Sequence, residues 1–241
     1  MREREPIFNV PRAVLALVIA FGCVHAVLWL LPDEQALWWT AVLAFVPARL
    51  FGLAGDLPGG ATAAGTQFVT HVFVHGDLAH LAINSAWLLA FGSSVERRIG
   101  STRFVVFFLV CGAAGALFYA FVAGGMLSMM VGASGAISGL MGAAVRFLFQ
   151  ALREGDVEAV AGEKRIPPLL SVSAALRDRR ILVAVAAWTV LNILMAWGAS
   201  GLLDGATIAW EAHLGGFYLG FLTFGLFDQS DNVHHDAAAA E

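Results

Sequence analysis

The chain has 241 residues, 59% of them hydrophobic and only 13% charged, with a mean hydropathy of +0.77 and a formal net charge of −4. Soluble domains carry about 25% charged residues, so this composition excludes a water-soluble globular protein and implies an integral membrane protein with little soluble mass. No basic stripe exists outside short loops, which argues against nucleic acid as a partner, and Cys23 and Cys111 lie in apolar runs as small packing residues.

A helix that crosses a bilayer needs roughly 20 mostly apolar residues. Six segments qualify, at 12–31, 77–94, 102–124, 134–152, 181–197 and 207–227. The implied fold class is an all-α membrane protein, with a six-helix membrane domain over 12–227, an N-terminal tail over 1–11 and a C-terminal tail over 228–241. Pro11 suits the opening of the first helix and Pro32 its end. The N-terminal residues mix acid with base, and the first apolar segment is too long for a signal h-region, so no targeting peptide is expected. Residues 32–67 form a long apolar loop broken by Pro47 and glycines, expected to lie at the outer interface with Trp38 and Trp39 at headgroup level. Residues 153–180 mix both charges around Pro167 and Pro168 and read as a linker.

Thirteen of the fourteen basic residues lie at or before the start of the first segment, between the second segment and the start of the third, or from the end of the fourth segment to the fifth; Arg49 alone falls elsewhere. By the positive-inside rule both termini are then cytoplasmic, and the second, fourth and sixth helices run from outside to inside. Their first turns would share one depth. The second carries His80 and Asn84, four apart and on one face; the fourth carries Ser134; the sixth carries His213. Polar groups at membrane depth are costly and usually mark function.

Ser134 sits at the start of its helix, where backbone N–H groups lack partners and the helix dipole is positive, a suitable place for an oxygen nucleophile and the oxyanion it creates. A serine hydroxyl needs a base, and His213 is the natural one. Glu211, two residues from His213, falls on another helix face, so a Ser–His dyad is the economical reading. The Ser134 N–H, the His80 ring and the Asn84 amide are candidate oxyanion donors, and His75 and Ser138 candidate members of a hydrated polar pocket. Gly132, Gly135 and Gly139 beside Ser134, and Gly216 and Gly220 after His213, would let the two helices approach closely and bring His213 to Ser134. His71, His75 and His80 do not share a helix face and gain no acidic partner except Asp77, which reads as a helix cap, so no metal and no cofactor is expected. Asn192 reads as an interhelical hydrogen bond. Gly198-Ala199-Ser200-Gly201 repeats the tetrapeptide around Ser134, but no glycine stripe follows, and it reads as an outer loop.

These motifs resemble the rhomboid family of intramembrane serine proteases. Gly132-Ala133-Ser134-Gly135 is similar to its Gly-x-Ser-Gly motif, and Ala212-His213 with Gly216 and Gly220 to its Ala-His-x-x-Gly-x-x-x-Gly motif. His75, His80, Asn84, Glu96-Arg97 and Gly100 follow the pattern of its second helix. The resemblance implies a six-helix core, Ser134 as nucleophile, His213 as base, and His80 and Asn84 as oxyanion helpers. It implies cleavage of single-pass membrane proteins near the outer face. Ser138 departs from members that place an aromatic there against the catalytic histidine. A bacterial inner-membrane endopeptidase, with membrane-protein substrates and lipid as partners, is the expectation; a non-catalytic relative that binds membrane proteins is the alternative.

Overall fold

The computed structural model describes residues 10–53, 55, 57–153, 168–202 and 208–228. Most of the expected tails (1–9 and 229–241), half of the linker (154–167) and the first residue of the sixth segment (207) lie outside the described residues.

The described chain is helical, apart from one isolated antiparallel bridge between Phe45 and Met130. Helix α1 spans Arg12–Leu30, α2 Asp33–Leu43, α3 Gly60–Thr70, α4 Leu78–Ile99, α5 Ser101–Ala123, α6 Ser134–Arg153, α7 Arg179–Leu202 and α8 Trp210–Thr223. Among the described residues α1, α4 and α5 are long and apolar enough to cross a membrane. At 1.5 Å per residue the 14-residue α8 is only about 21 Å long, and it continues into a 3-10 turn over Phe224–Leu226.

Proline and glycine set the boundaries as the pattern implied. Pro11 and Pro32 stand at the N-caps of α1 and α2, where a missing N–H costs nothing, and their carbonyls accept from Leu15 and Ala36. Asp77 caps α4, its carboxylate accepting from the His80 N–H at 2.7 Å. Gly100, at φ +77°, makes the sharp passage from α4 to α5. Within α4 a single π-helical stretch, Leu88–Gly92, ends on a glycine whose missing side chain lets Val14 of α1 and Leu88 close in.

Two stretches depart from the sequence reading. The long loop is not irregular throughout: α2 carries the exposed Trp38 and Trp39, and α3 fills 60–70 beyond the Pro47–Arg49 turn. Arg49 is buried there and donates to the carbonyls of Ala44, Ala41 and Pro58, so the one basic residue of this loop organises its backbone. The second departure is α7, which continues past 197 to Leu202 and takes Ser200 into its last turn. The outer-loop reading of that tetrapeptide is therefore corrected: Gly198 and Gly201 lower helix propensity but do not end a helix that is otherwise apolar.

Helix α6 is the interior element. Ala136, Leu140, Ala143 and Ala144 are fully buried, and α5 and α8 lie against it. By contrast α1, α5 and α7 expose large apolar side chains such as Ile19, Trp29, Phe121, Val183 and Leu194. An apolar exterior of this extent is a lipid-facing surface. At the end of the bundle remote from Ser134, Phe104, Phe107, Phe108, Phe147 and Phe224 fill the core. Beside them Arg98 pairs with Asp228 at 2.6 Å and lies over the Phe147 ring. Glu96 is buried and accepts from the Ala13 and Val14 N–H groups, at 3.0 and 2.8 Å, and from the Ser101 hydroxyl at 2.7 Å, so the carboxylate of α4 caps the start of α1.

Candidate active site

Glycine spacing decides how α6 meets α8. A β-carbon at Gly135 would lie 3.2 Å from the Ala212 carbonyl oxygen; one at Gly220 would overlap the Gly139 carbonyl, and one at Gly142 the Phe217 carbonyl. Backbone thus touches backbone along three turns, which only residues without side chains allow. Gly139 also meets Cys111, and Gly215 meets Phe118 and Gly115, so α5 is drawn against both helices.

This packing brings the first turns of α6 and α8 together. The His213 Nε2 lies 2.8 Å from the Ser134 Oγ. On the other side of the ring, Nδ1 lies 2.8 Å from the Asn192 Oδ1 of α7, and the Asn192 amide donates to the Trp188 carbonyl at 2.9 Å. Asn192 does make an interhelical hydrogen bond, and its partner is the histidine next to Ser134. The polarity of Asn192 in an apolar helix signalled a buried partner; nothing local identified which one.

The segment leading into Ser134 is held by the chain between α2 and α4. Met130 exchanges hydrogen bonds with Phe45 at 2.8 and 2.9 Å, and the Gly132 N–H donates to the His71 carbonyl at 3.0 Å. Gly132 adopts φ +115°, and a β-carbon there would lie 2.6 Å from both Cε1 and Nε2 of His80 and 3.8 Å from the Asn84 amide nitrogen. Gly132 therefore serves close approach to α4 rather than to α8, and it sets His80 and Asn84 beside the start of α6. Asn84 is buried, and its amide donates to the His80 carbonyl at 3.2 Å.

The remaining polar residues divide. The buried His75 ring lies 5.1 Å from that of His80 and 5.0 Å from that of Phe21, and its carbonyl meets the His25 Nδ1 at 3.3 Å. Ser138 donates to the Ser134 carbonyl at 2.7 Å, so its proton is directed back along its own helix. His71 binds the Gln67 carbonyl through Nδ1 at 2.7 Å, and burial holds its imidazole pKa down to about 4.

Fold and site together define a helical integral membrane protein with a serine and a histidine hydrogen-bonded at the starts of two closely packed helices. A family model for the rhomboid domain matches residues 63–229, well over half of the chain, and the chain belongs to the rhomboid family. It is 29% identical over 150 residues to the putative rhomboid protease YdcA of Bacillus subtilis, covering 61% of this chain and 68% of that protein. It is 40% identical over 77 residues to the rhomboid protease GluP of the same organism, covering 32% of this chain but only 15% of GluP. RHOMBOID-like protein 4 of Arabidopsis thaliana is 25% identical over 158 residues, 66% of this chain and 33% of that protein. The chain thus matches a minor part of GluP and of the plant protein.

Proposed function

We propose that this protein is an intramembrane serine endopeptidase that works through a Ser134–His213 dyad. The observation that carries the reading is the 2.8 Å contact between the Ser134 Oγ and the His213 Nε2, in a chain of a family whose relatives are named proteases. His213 takes the hydroxyl proton as Ser134 attacks a peptide carbonyl. The resulting oxyanion is received by the Ser134 N–H, the His80 ring and the Asn84 amide. Collapse expels the amine, which takes its proton from His213, and leaves an acyl-enzyme. A water then gives its proton to His213, attacks the ester and restores Ser134. The neighbourhood of His75 and Ser138 is the proposed polar pocket for that water.

The chain would cross the bilayer six times over 12–227 with both termini cytoplasmic, which sets the dyad near the outer face. Substrates would be single-pass or other membrane proteins in a bacterial inner membrane. A transmembrane helix hides its carbonyls in hydrogen bonds. Segments with helix-breaking residues, cut after a small side chain, are therefore the preferred substrates.

Purified protein in lipid vesicles with a tagged single-pass reporter tests this. Wild type and Ser200→Ala are expected to cleave, and Ser134→Ala and His213→Ala to fall to background. A fluorophosphonate probe should label wild type and Ser200→Ala but not Ser134→Ala. Absence of both cleavage and labelling in wild type would replace the protease with a non-catalytic binder of membrane proteins.

A further inference from the structure

His213 is held from the side opposite Ser134 by a residue on a third helix. Asn192 is 2% exposed, in an otherwise apolar stretch of α7. Its amide orientation follows from its partners. The Trp188 carbonyl can only accept, so the NH2 group points there, at 2.9 Å, and Oδ1 faces the His213 Nδ1 at 2.8 Å. An amide oxygen also only accepts, so Nδ1 carries the proton. In the neutral ring Nε2 then bears a lone pair, and the Ser134 hydroxyl donates to it. The opposite tautomer would set two lone pairs against each other at Asn192 and present a useless N–H to Ser134.

We propose that Asn192 is a positioning residue which holds His213 in the tautomer able to accept the Ser134 proton, so that the Ser134–His213 pair is oriented from a third helix. The inference rests on the protease reading above. Asparagine provides the acceptor without burying a charge in an apolar setting, where charge is costly. Trp188, whose carbonyl Asn192 holds, stacks on Phe217 with centroids 5.8 Å apart; Thr189 makes a separate 2.7 Å hydrogen bond to Tyr218 that touches neither Asn192 nor His213. No aromatic ring at position 138 supports the imidazole, since that residue is a serine turned toward the Ser134 carbonyl. The hydrogen bond at Nδ1 supplies the restraint instead.

The test uses the full chain in lipid vesicles with two readouts, 15N-histidine solid-state NMR of the His213 tautomer and steady-state cleavage of the tagged reporter. Wild type should show His213 with its proton on Nδ1. In Asn192→Leu that state should give way to a tautomer mixture, with kcat lowered about 10–100-fold and KM within about twofold, part of the 10²–10⁴-fold that a positioned base contributes. Asn192→Asp keeps the acceptor and should recover much of kcat. Thr189→Val removes a neighbouring α7–α8 bond and should change neither readout. Asn192→Ser cannot reach His213 and replaces the leucine variant if that does not fold. An unchanged tautomer in Asn192→Leu, or a loss confined to KM, overturns the proposal. A shifted tautomer in a protein whose wild type cuts nothing keeps the hydrogen-bond assignment and overturns the protease reading alone.

Discussion

Gly216 of α8 lies so close to Gly135 of α6 that a β-carbon on it would overlap the Gly135 carbonyl oxygen. The obstacle is backbone in a helix, which cannot rotate away as a side chain can. The same contact sets the spacing of Ser134 and His213, which stand one residue before and three residues before these glycines.

Gly216→Ala should therefore push α8 off α6. Overpacking typically costs about 1–3 kcal/mol, and the rigid partner favours the upper end. Cleavage should fall more steeply than stability, because the 2.8 Å contact between Ser134 and His213 is lost with the spacing. Gly22 and Gly65, around which a β-carbon meets nothing within 4 Å, serve as controls. Thermal unfolding and reporter cleavage of the three alanine variants check this; equal behaviour would refute the role given to the glycine contact.

Gly132→Ala meets two obstacles, a φ of +115° and the His80 ring at 2.6 Å. It should displace the His80 ring from the start of α6. Loss of one oxyanion donor costs about 2.7–4 kcal/mol in the barrier, so kcat should drop about 10²–10³-fold in Gly132→Ala and in His80→Ala. The double variant should be little worse than either single one, since both act on the one proposed donor. Fully additive losses would show that Gly132 acts through something other than His80.

Glu96→Ala should release the start of α1. It strips partners from the buried Ala13 and Val14 N–H groups and from Ser101. An orphaned buried donor costs about 1–3 kcal/mol, so a fall in stability of that order or more is expected. Glu96→Gln keeps one acceptor oxygen and should fall between Glu96→Ala and wild type. Denaturant titration in mixed micelles orders the three.

His71 links stability to pH. Burial lowers its pKa from about 6.5 to about 4 in the folded protein. The neutral ring is the folded form, so its contribution is complete above about 6.5 and declines as pH falls toward 4, because the unfolded chain takes up the proton first. A tenfold difference in proton affinity between the two states is worth about 1.36 kcal/mol. His71→Gln, neutral throughout, should lose less Tm than wild type between pH 7.5 and 4.5. An equal loss in both would place the acid sensitivity elsewhere.

Much of the site is legible in the sequence because its signals are local. Ser134 precedes glycines at helical spacing, His213 precedes another such stripe, and matching stripes imply close helices. Asp77 reads as a cap from its place before an apolar periodic run. Residues 60–70 are harder: Gly60, Gly65 and the threonines lower helix propensity, and α3 forms through its tertiary contacts, with Gln67 accepting from the Val46 N–H at 2.9 Å and Thr70 donating to the Leu43 carbonyl at 2.7 Å. The end of α7 departs from the hydropathy boundary for a related reason, since weak helix formers lower propensity without forbidding a helix.

By itself the amino-acid sequence determined the membrane class, most of the helix positions and the motifs that mark the family, because hydropathy, periodicity and spacing act over one or two turns. Only the tertiary structure decided which distant groups meet. His213 and Asn192 are 21 residues apart, and Glu96 reaches the start of α1 across 82 and 83 residues. Those pairings depend on the rotation and axial register of each helix against its neighbours. Both are set by how the whole bundle packs, with glycine against backbone at its centre.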